Sequence, residues 1–289
     1  TPLLPVIEEI HACDFAVLEL SSFQLHTMNF VPYAAVITNV TPNHLNWHIS
    51  MEEYIDSKKN IFRHQNKSCR LILNAENELT RGMAQEAPSA VTLFSSKRPL
   101  TYKNSAYFKE NAIWYYDGTE HFVMNRSDIK IVGMHNVENY MAAISAVWGI
   151  VEPDDMREVA RTFGGVRHRI ELVTEKNGVK YYNSSIDTSP TRTLAALSSF
   201  EEKLIVIVGG YDKHIPIEPL IAPLAEKAKF VVGTGATGMQ VLTKLTEYGY
   251  PRDKIAYIGV FDDAVIYAAG RAHAGDIVIL SPAAASFDA

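Results

Sequence analysis

Short apolar runs recur along this chain, and between most of them lie segments that read as amphipathic helices. That alternation constrains the fold more than any other feature. Parallel strands need a crossover between them, and a helix is the usual crossover, so the pattern points to α/β sheets. In the first half, residues 15–20, 34–40, 70–74 and 90–94 read as strands and 50–62 as a helix. Ser50 suits its N-cap, with Glu53 three residues on completing a capping box. Segments 107–116 and 121–124 flank Asp117-Gly118, a hairpin signal. Helices are predicted around 136–150 and 154–163. Gly164-Gly165 then breaks the pattern and sets a predicted boundary between domains 1–165 and 166–289. The second half opens with a hairpin, 170–175 and 179–183 around Asn177-Gly178. Strands at 203–208, 229–232, 254–258 and 276–280 follow with helices between, a Rossmann-like order.

A chain of 289 residues has room for two domains with real cores. Apolar residues make up 47% and charged ones 21%, the balance of an ordinary globular protein. Lys and Arg number 27 against 33 Asp and Glu, a net charge of -6, which argues against a general nucleic-acid or anionic-membrane binder. The two cysteines, Cys13 and Cys69, have neither zinc-ligand spacing nor partners for a disulfide framework. A reducing, cytoplasmic setting is therefore expected. No apolar run is long enough to span a membrane and no signal peptide is evident. The chain starts without Met and stops just after an apolar run, so a fragment is expected.

Chemistry-bearing residues gather at the ends of the predicted strands, where open α/β sheets bind ligands. Glu19 sits inside the first apolar run, in Glu19-Leu-Ser-Ser-Phe-Gln24. A carboxylate there is costly unless paired, hydrogen-bonded or metal-bound, or unless the strand ends and it reaches water. Asn39-Val-Thr-Pro-Asn-His44 ends the second run, and Lys58 and Lys59 lie on the helix after it. Glu19 and His44 beside hydroxyls suit Mg²⁺, which takes few protein ligands, although His44 also fits as a turn residue after Pro42. Asn136 reads as an N-cap, with Asn139 one turn on and able to meet a ligand base. Arg167-His168-Arg169 reads either as a solvated linker or as a phosphate clamp. Gly233-Thr-Gly-Ala-Thr-Gly238 matches G-x-G-x-x-G between a strand and a helix. Gly233, Gly235 and Gly238 thus offer a nucleotide-binding alternative, of NAD(P) type, or else a tight turn. The acidic residue such a site wants is late, since Asp262 and Asp263 fall at the start of a helix. No G-x-x-x-x-G-K-[ST] loop exists, and Gly209-Gly-Tyr-Asp-Lys213 is not that motif.

Taken in order, these motifs resemble the Mur ligase family of bacterial cell-wall synthesis. The resemblance rests on Leu18-Glu-Leu-Ser-Ser-Phe-Gln-Leu25, Asn39-Val-Thr-Pro-Asn-His44, Gly133-Met-His-Asn136, His168-Arg169, Gly209-Gly-Tyr-Asp-Lys213 and Ser281-Pro-Ala-Ala-Ala-Ser286. It runs along essentially the whole chain. It implies a partial central ATPase-type domain with a parallel sheet, lacking its phosphate loop, followed by a Rossmann-like domain. An N-terminal uridine-nucleotide domain would be missing, and this stretch alone is expected to be inactive, having nothing to cradle the ATP β- and γ-phosphates. The family joins an amino acid to a UDP-sugar peptide through an acyl phosphate made with ATP and Mg²⁺. Glu-Leu-Ser-Ser-Phe-Gln is similar to the branch that adds D-glutamate to UDP-N-acetylmuramoyl-L-alanine, with a monomer expected. By resemblance, Glu19, His44 and a carbamylated Lys58 hold metal, and Ser21 and Gln24 touch substrate. Asn136, Asn139, Arg169, Ser184 and Asp187 line the ATP site. Thr188, Lys213, Ser286 and Phe287 hold D-glutamate. The chain departs from the family at Tyr182-Asn-Ser-Ser-Ile-Asp-Thr188, where Ser184 replaces the ribose-binding aspartate, Ile186 replaces a lysine and Asp187 is the candidate substitute. Asn43 and Asn46 stand where aspartates are common, and Ala284 replaces a cysteine. A folylpolyglutamate-type sister ligase, or a decayed paralogue without catalysis, fits the same motifs.

Overall fold

The computed structural model of the chain describes residues 4–41, 48–212 and 215–284. Its strands are β1 (Ala34–Ile37), β2 (Arg70–Asn74), β3 (Ala90–Ser95), β4 (Ser105–Lys109), β5 (Ala112–Tyr116), β6 (Glu120–Asn125), β7 (Glu171–Lys176), β8 (Val179–Asn183), β9 (Leu204–Gly209), β10 (Ala228–Thr234), β11 (Ile255–Tyr257) and β12 (Ile277–Leu280). Its helices are α1 (Ser22–Thr27), α2 (Met51–Arg63), α3 (Glu78–Met83), α4 (Met134–Val147), α5 (Pro153–Thr162), α6 (Pro190–Leu197), α7 (Glu218–Lys227), α8 (Gly235–Tyr248) and α9 (Phe261–Gly270). The strands form two six-stranded sheets, the first in sequence order from β1 to β6 and the second in the order β11-β10-β9-β12-β8-β7. The α/β class is as the alternation implies. Contacts divide the chain into two compact units, one of Thr1–Phe108, Tyr115–His121 and Met141–Trp148, the other of Lys109–Trp114, Phe122–Tyr140 and Gly149–Ala289. No helix among the described residues is long and apolar enough to cross a membrane.

In the first unit β1, β2 and β3 run parallel. The middle of β2 is buried throughout, as a strand covered on both faces must be. Tyr54 and Phe62 of α2 pack on Ile37, Leu71 and Leu73 with Met83 of α3. The predicted strand at 107–116 is two strands. Glu110 and Asn111 both take positive φ, 52° and 59°, a tight turn that splits the run into β4 and β5. The predicted strand at 15–20 is not formed. β1 pairs with β2, no described residue pairs with 15–20, and Val17 is 94% exposed. An apolar run becomes a strand only when its N–H and C=O groups find a ladder partner. Glu19 is accordingly exposed, so the charge is solvated rather than buried at a strand end.

The second unit is built around β9. Its Leu204, Val206 and Val208 enter one core with α6, α7 and α8, while Ile205 and Ile207 enter the other with α9. This period-two division between two covered faces explains the unbroken apolar reading of the strand. β10 and β11 extend the sheet on one side of β9, and β12 with β8 extends it on the other, all parallel. The direction of growth thus reverses beside β9. Antiparallel β7 closes the edge through the Asn177-Gly178 hairpin, both residues at positive φ.

At the C-terminal end of β9 the backbone turns with φ +124° at Gly209, and a Cβ there would lie 1.8 Å from the Thr234 carbonyl oxygen. Gly209→Ala is therefore expected to lower stability by about 3 kcal/mol, from backbone strain and overpacking together. Gly82, inside α3 with open space around it, should tolerate alanine with a gain of about 0.5–1 kcal/mol. Denaturant midpoints of the two variants check this, and a Gly209→Ala protein as stable as the parent would contradict the packing described.

Candidate functional site

α1 begins with a reciprocal cap. Ser21 Oγ accepts from the Gln24 N–H at 3.3 Å, and Gln24 Oε1 accepts from the Ser21 N–H at 2.9 Å. The two residues expected to touch substrate are thus locked together, and Glu19 lies exposed just before them. The S-x-x-Q spacing is a capping-box signal that was legible in the sequence. At α2, Ser50 caps Glu53 N–H as expected, but Glu53 Oε2 reaches back to Ile49 N–H at 2.6 Å rather than to Ser50.

Two histidines tie α1 to α2, and sequence reasoning missed both. His48 Nε2 shares a hydrogen bond with Ser22 Oγ at 2.9 Å, while its ring stacks on Phe23. Its Nδ1 lies 3.6 Å from Glu53. Ser57 Oγ donates to the Glu53 carbonyl at 2.8 Å, which leaves it to accept from His26 Nδ1 at 2.8 Å. Asn60 Nδ2 donates to the Leu25 carbonyl. These bonds fix Ser57, and with it the neighbouring Lys58. The Lys58 ammonium lies 5.1 Å above the Tyr54 ring, and burial pushes its pKa below the usual lysine range. His44 lies outside the described residues.

Among the described residues no three His, Cys, Asp or Glu side chains cluster to hold a metal. Mg²⁺ does not need such a cage, because it keeps waters and phosphate oxygens and takes one or two carboxylates. Glu19 is an exposed carboxylate of the hard-oxygen kind that Mg²⁺ takes.

The second unit carries the other candidates. Gly133 has φ +92°, and a Cβ would meet His135 Cε1 at 2.6 Å and Ser199 Oγ at 2.8 Å, so only glycine fits before α4. Asn136 is not the N-cap. It lies in the first turn of α4, where Nδ2 donates to the Val132 carbonyl and Oδ1 accepts from Asn139 Nδ2 at 3.2 Å. The two asparagines are brought together as the spacing implied. Arg169 is exposed. Ser184 and Asp187 are brought together too, but inside the protein, at 0% and 5% exposure. A buried serine and a buried carboxylate face each other rather than an open ribose site. Thr188 is half-buried beside them, and Lys213, Ser286 and Phe287 lie outside the described residues.

The Gly233–Gly238 turn is closed. Thr237 N–H, at the start of α8, donates to the Gly210 carbonyl at 3.1 Å. A Cβ at Gly235 would meet that same carbonyl at 2.9 Å, and one at Gly238 would meet Gly233 at 2.8 Å. The glycines permit strand, turn and helix to touch, and the Gly210 carbonyl takes up an N–H of the first turn of α8 that a bound phosphate would otherwise use. The dinucleotide alternative loses its cradle, and the tight-turn reading stands.

Two sheets dominated by parallel pairing, with helices between their strands, define an α/β protein. The family is narrower. Residues 6–147 match the Mur ligase middle domain and 168–284 the Mur ligase, glutamate ligase domain, so the chain belongs to the Mur ligase family. It is 50% identical, over 99% of its length, to a UDP-N-acetylmuramoylalanine--D-glutamate ligase of Acetivibrio thermocellus, and 47% identical over its full length to one of Clostridium perfringens. It spans 62% of the length of each. Among solved structures, UDP-N-acetylmuramate-alanine ligase from Thermotoga maritima superposes with a TM-score of 0.63 at 18% identity, covering 91% of this chain and 58% of that one. An Acinetobacter baumannii UDP-N-acetylmuramoylalanyl-D-glutamyl-2,6-diaminopimelate--D-alanyl-D-alanyl ligase gives 0.62 at 17% identity, covering 87% and 56%. These two likenesses establish the fold alone.

His48→Ala removes the ring that fills the space between Phe23 and Tyr54 and leaves Ser22 Oγ buried without its partner. A loss of about 2–4 kcal/mol is expected in chemical denaturation. A change near zero would show that the α1–α2 junction does not depend on this histidine.

Proposed function

We propose that this chain is the central and C-terminal part of a cytoplasmic, monomeric, ATP-dependent ligase that joins D-glutamate to UDP-N-acetylmuramoyl-L-alanine for peptidoglycan precursor synthesis. The observation that carries this reading is the 50% identity, along 99% of the chain, to a relative named for D-glutamate ligation. ATP supplies the phosphoryl group that makes the substrate carboxylate an acyl phosphate, and the amino group of D-glutamate displaces phosphate to form the amide. Glu19, His44 and a carbamylated Lys58 would hold Mg²⁺, whose charge would neutralise phosphoryl oxygens.

The chain's own groups do the positioning. Ser21 and Gln24, rigid because each caps the other, present their remaining hydrogen-bonding capacity to the UDP substrate. Asn136 and Asn139 offer amides to the adenine end of ATP, and the Arg169 guanidinium forks phosphate oxygens. Thr188, with Lys213, Ser286 and Phe287, holds D-glutamate. Lys58 is prepared for its role by desolvation. A lowered pKa leaves more neutral amine near pH 8 than an ordinary lysine has. That amine adds to CO₂, forming the N–C bond and losing a proton, to give a carbamate with two oxygen donors.

The full-length protein tests this. ADP release should require the UDP substrate, D-glutamate and Mg²⁺ together, and L-glutamate should not substitute. Release driven equally by another amino acid would make this a sister ligase. Glu19→Ala should cut turnover about 100-fold, roughly 2.7 kcal/mol of barrier, and unchanged turnover would remove the metal assignment. With ¹³C-bicarbonate, a carbamate carbon resonance should appear and be absent from Lys58→Arg. Its persistence in that variant would place the carbamate elsewhere.

A further inference from the structure

In open α/β sheets the ligand crevice lies outside the strand ends where the order of growth reverses. Here that point falls between β9 and β12, with β8 next to β12. A carboxylate, Asp187, sits in the loop after β8, buried and so withdrawn from the ribose contact that the family resemblance implied for it. Its Oδ2 accepts from Ser281 Oγ at 2.8 Å, across 94 residues of chain, and Ser184 supplies a second hydrogen bond. Ser281 shares a further bond with Thr193 Oγ1 of α6 at 3.0 Å. Ser184 Oγ also accepts from the Ile170 N–H at 3.1 Å. Ser281 and Pro282 open the loop after β12 and are bonded to β9 through Ser281 N–H to Ile207 O and Gly209 N–H to Pro282 O. Asp187 and Ser281 together therefore join the loop after β8, the first turn of α6 and the loop after β12.

Burial on this scale is costly for a surface loop. It raises the Asp187 carboxyl above the usual carboxylate range, against the pull of the Ser184 and Ser281 hydrogen bonds and of Arg192 and Arg169, the charges that face it. A small apolar residue here would avoid that cost and would also lose the hydrogen bond to Ser281.

We propose that Asp187 is a positioning residue for the amino-acid subsite. By clamping Ser281 to the loop that carries Thr188, it presets the two walls of the crevice in which the incoming amino acid is held. This rests on the ligase reading above. The clamp acts through hydrogen-bond geometry and not through contact with substrate, so its effect belongs to the KM for one substrate.

The test uses full-length protein and three variants, Asp187→Ala, Asp187→Asn and Ser281→Ala. The alanine variants should each raise the KM for D-glutamate about tenfold, the worth of one hydrogen bond, with kcat and the KM values for ATP and the UDP substrate within about twofold. Asp187→Asn keeps an oxygen for Ser281 and should regain most of the affinity. Losses spread evenly over all substrates would mark a merely structural role, a rise confined to the ATP KM would return Asp187 to the nucleotide site, and an Asn variant as impaired as Ala would remove the hydrogen-bond account. Any of the three overturns the proposal. Should Asp187→Ala fail to fold, Ser281→Ala and Asp187→Asn give the same decision. Should the parent enzyme turn over no D-glutamate, the ligase reading fails first. The clamp is then read from amide exchange at Thr188 and Ser281, which should quicken about tenfold in Ser281→Ala and would sink the proposal by staying unchanged.

Discussion

The architecture of the second unit depends on one close approach. The Thr234 carbonyl at the end of β10 occupies the space that a side chain on Gly209 would fill at the end of β9. Two parallel strands finish side by side, turn in different directions and still touch. Only a residue without Cβ permits that. From this crossing follow the hydrogen bond of Gly210 to the start of α8, the closing of the Gly233–Gly238 turn, and the seating of Pro282 on Gly209. The strand ends are thereby drawn tight on the β10 side of β9. The polar residues are left on the β12 side, where Asp187, Ser281 and Thr193 meet.

That arrangement shows why a short motif is a poor guide without its surroundings. G-x-G-x-x-G describes glycines where backbone must come close to something. In a dinucleotide site the something is pyrophosphate. Here it is the neighbouring strand's own turn. The distinction lies in whether the helix's N–H groups are free, and Thr237 N–H is not. The missing acidic residue near the next strand end was the sequence-level sign of the same fact.

Much of the fold was legible because local and long-range preferences agree. β2 spans 70–74 as read, and the Asn177-Gly178 hairpin lies where its turn residues put it. β9, β10 and β12 follow from apolar runs that are largely buried. The failures have physical causes. Glu110-Asn111 lacks glycine and proline, so the positive-φ turn was marked only by a polar triplet, Lys109-Glu110-Asn111, between two apolar stretches. Residues 15–20 have strand composition without a described ladder partner, and composition cannot supply one. At the site, the family resemblance points to Ser21 and Gln24 as substrate contacts, and the structure adds that each caps the other. His26 and His48 could not be found by spacing, because the serines they bind are distant in sequence.

Ser184 and Asp187 illustrate how a departure from a family pattern should be weighed. Read as letters, the serine is a loss and the aspartate three residues later is a compensation at the same surface. Read as a structure, the two side chains have moved inward together. Ser184 is bonded to Ile170 N–H and to the carboxylate, and the carboxylate to Ser281. The carboxylate at Asp187 is buried and, with Ser281, ties together the loop after β8, α6 and the loop after β12. Burial disfavours the charged form and hydrogen bonding favours it, so the net pKa, raised rather than lowered, shows that desolvation wins. By linkage, folding then binds a proton more readily than the unfolded chain does, so this group's contribution to stability declines as pH rises through the interval between its unfolded and folded values. A group that weakens the fold near neutral pH while joining three segments at the switch point is more economically explained by what those segments must hold than by stability.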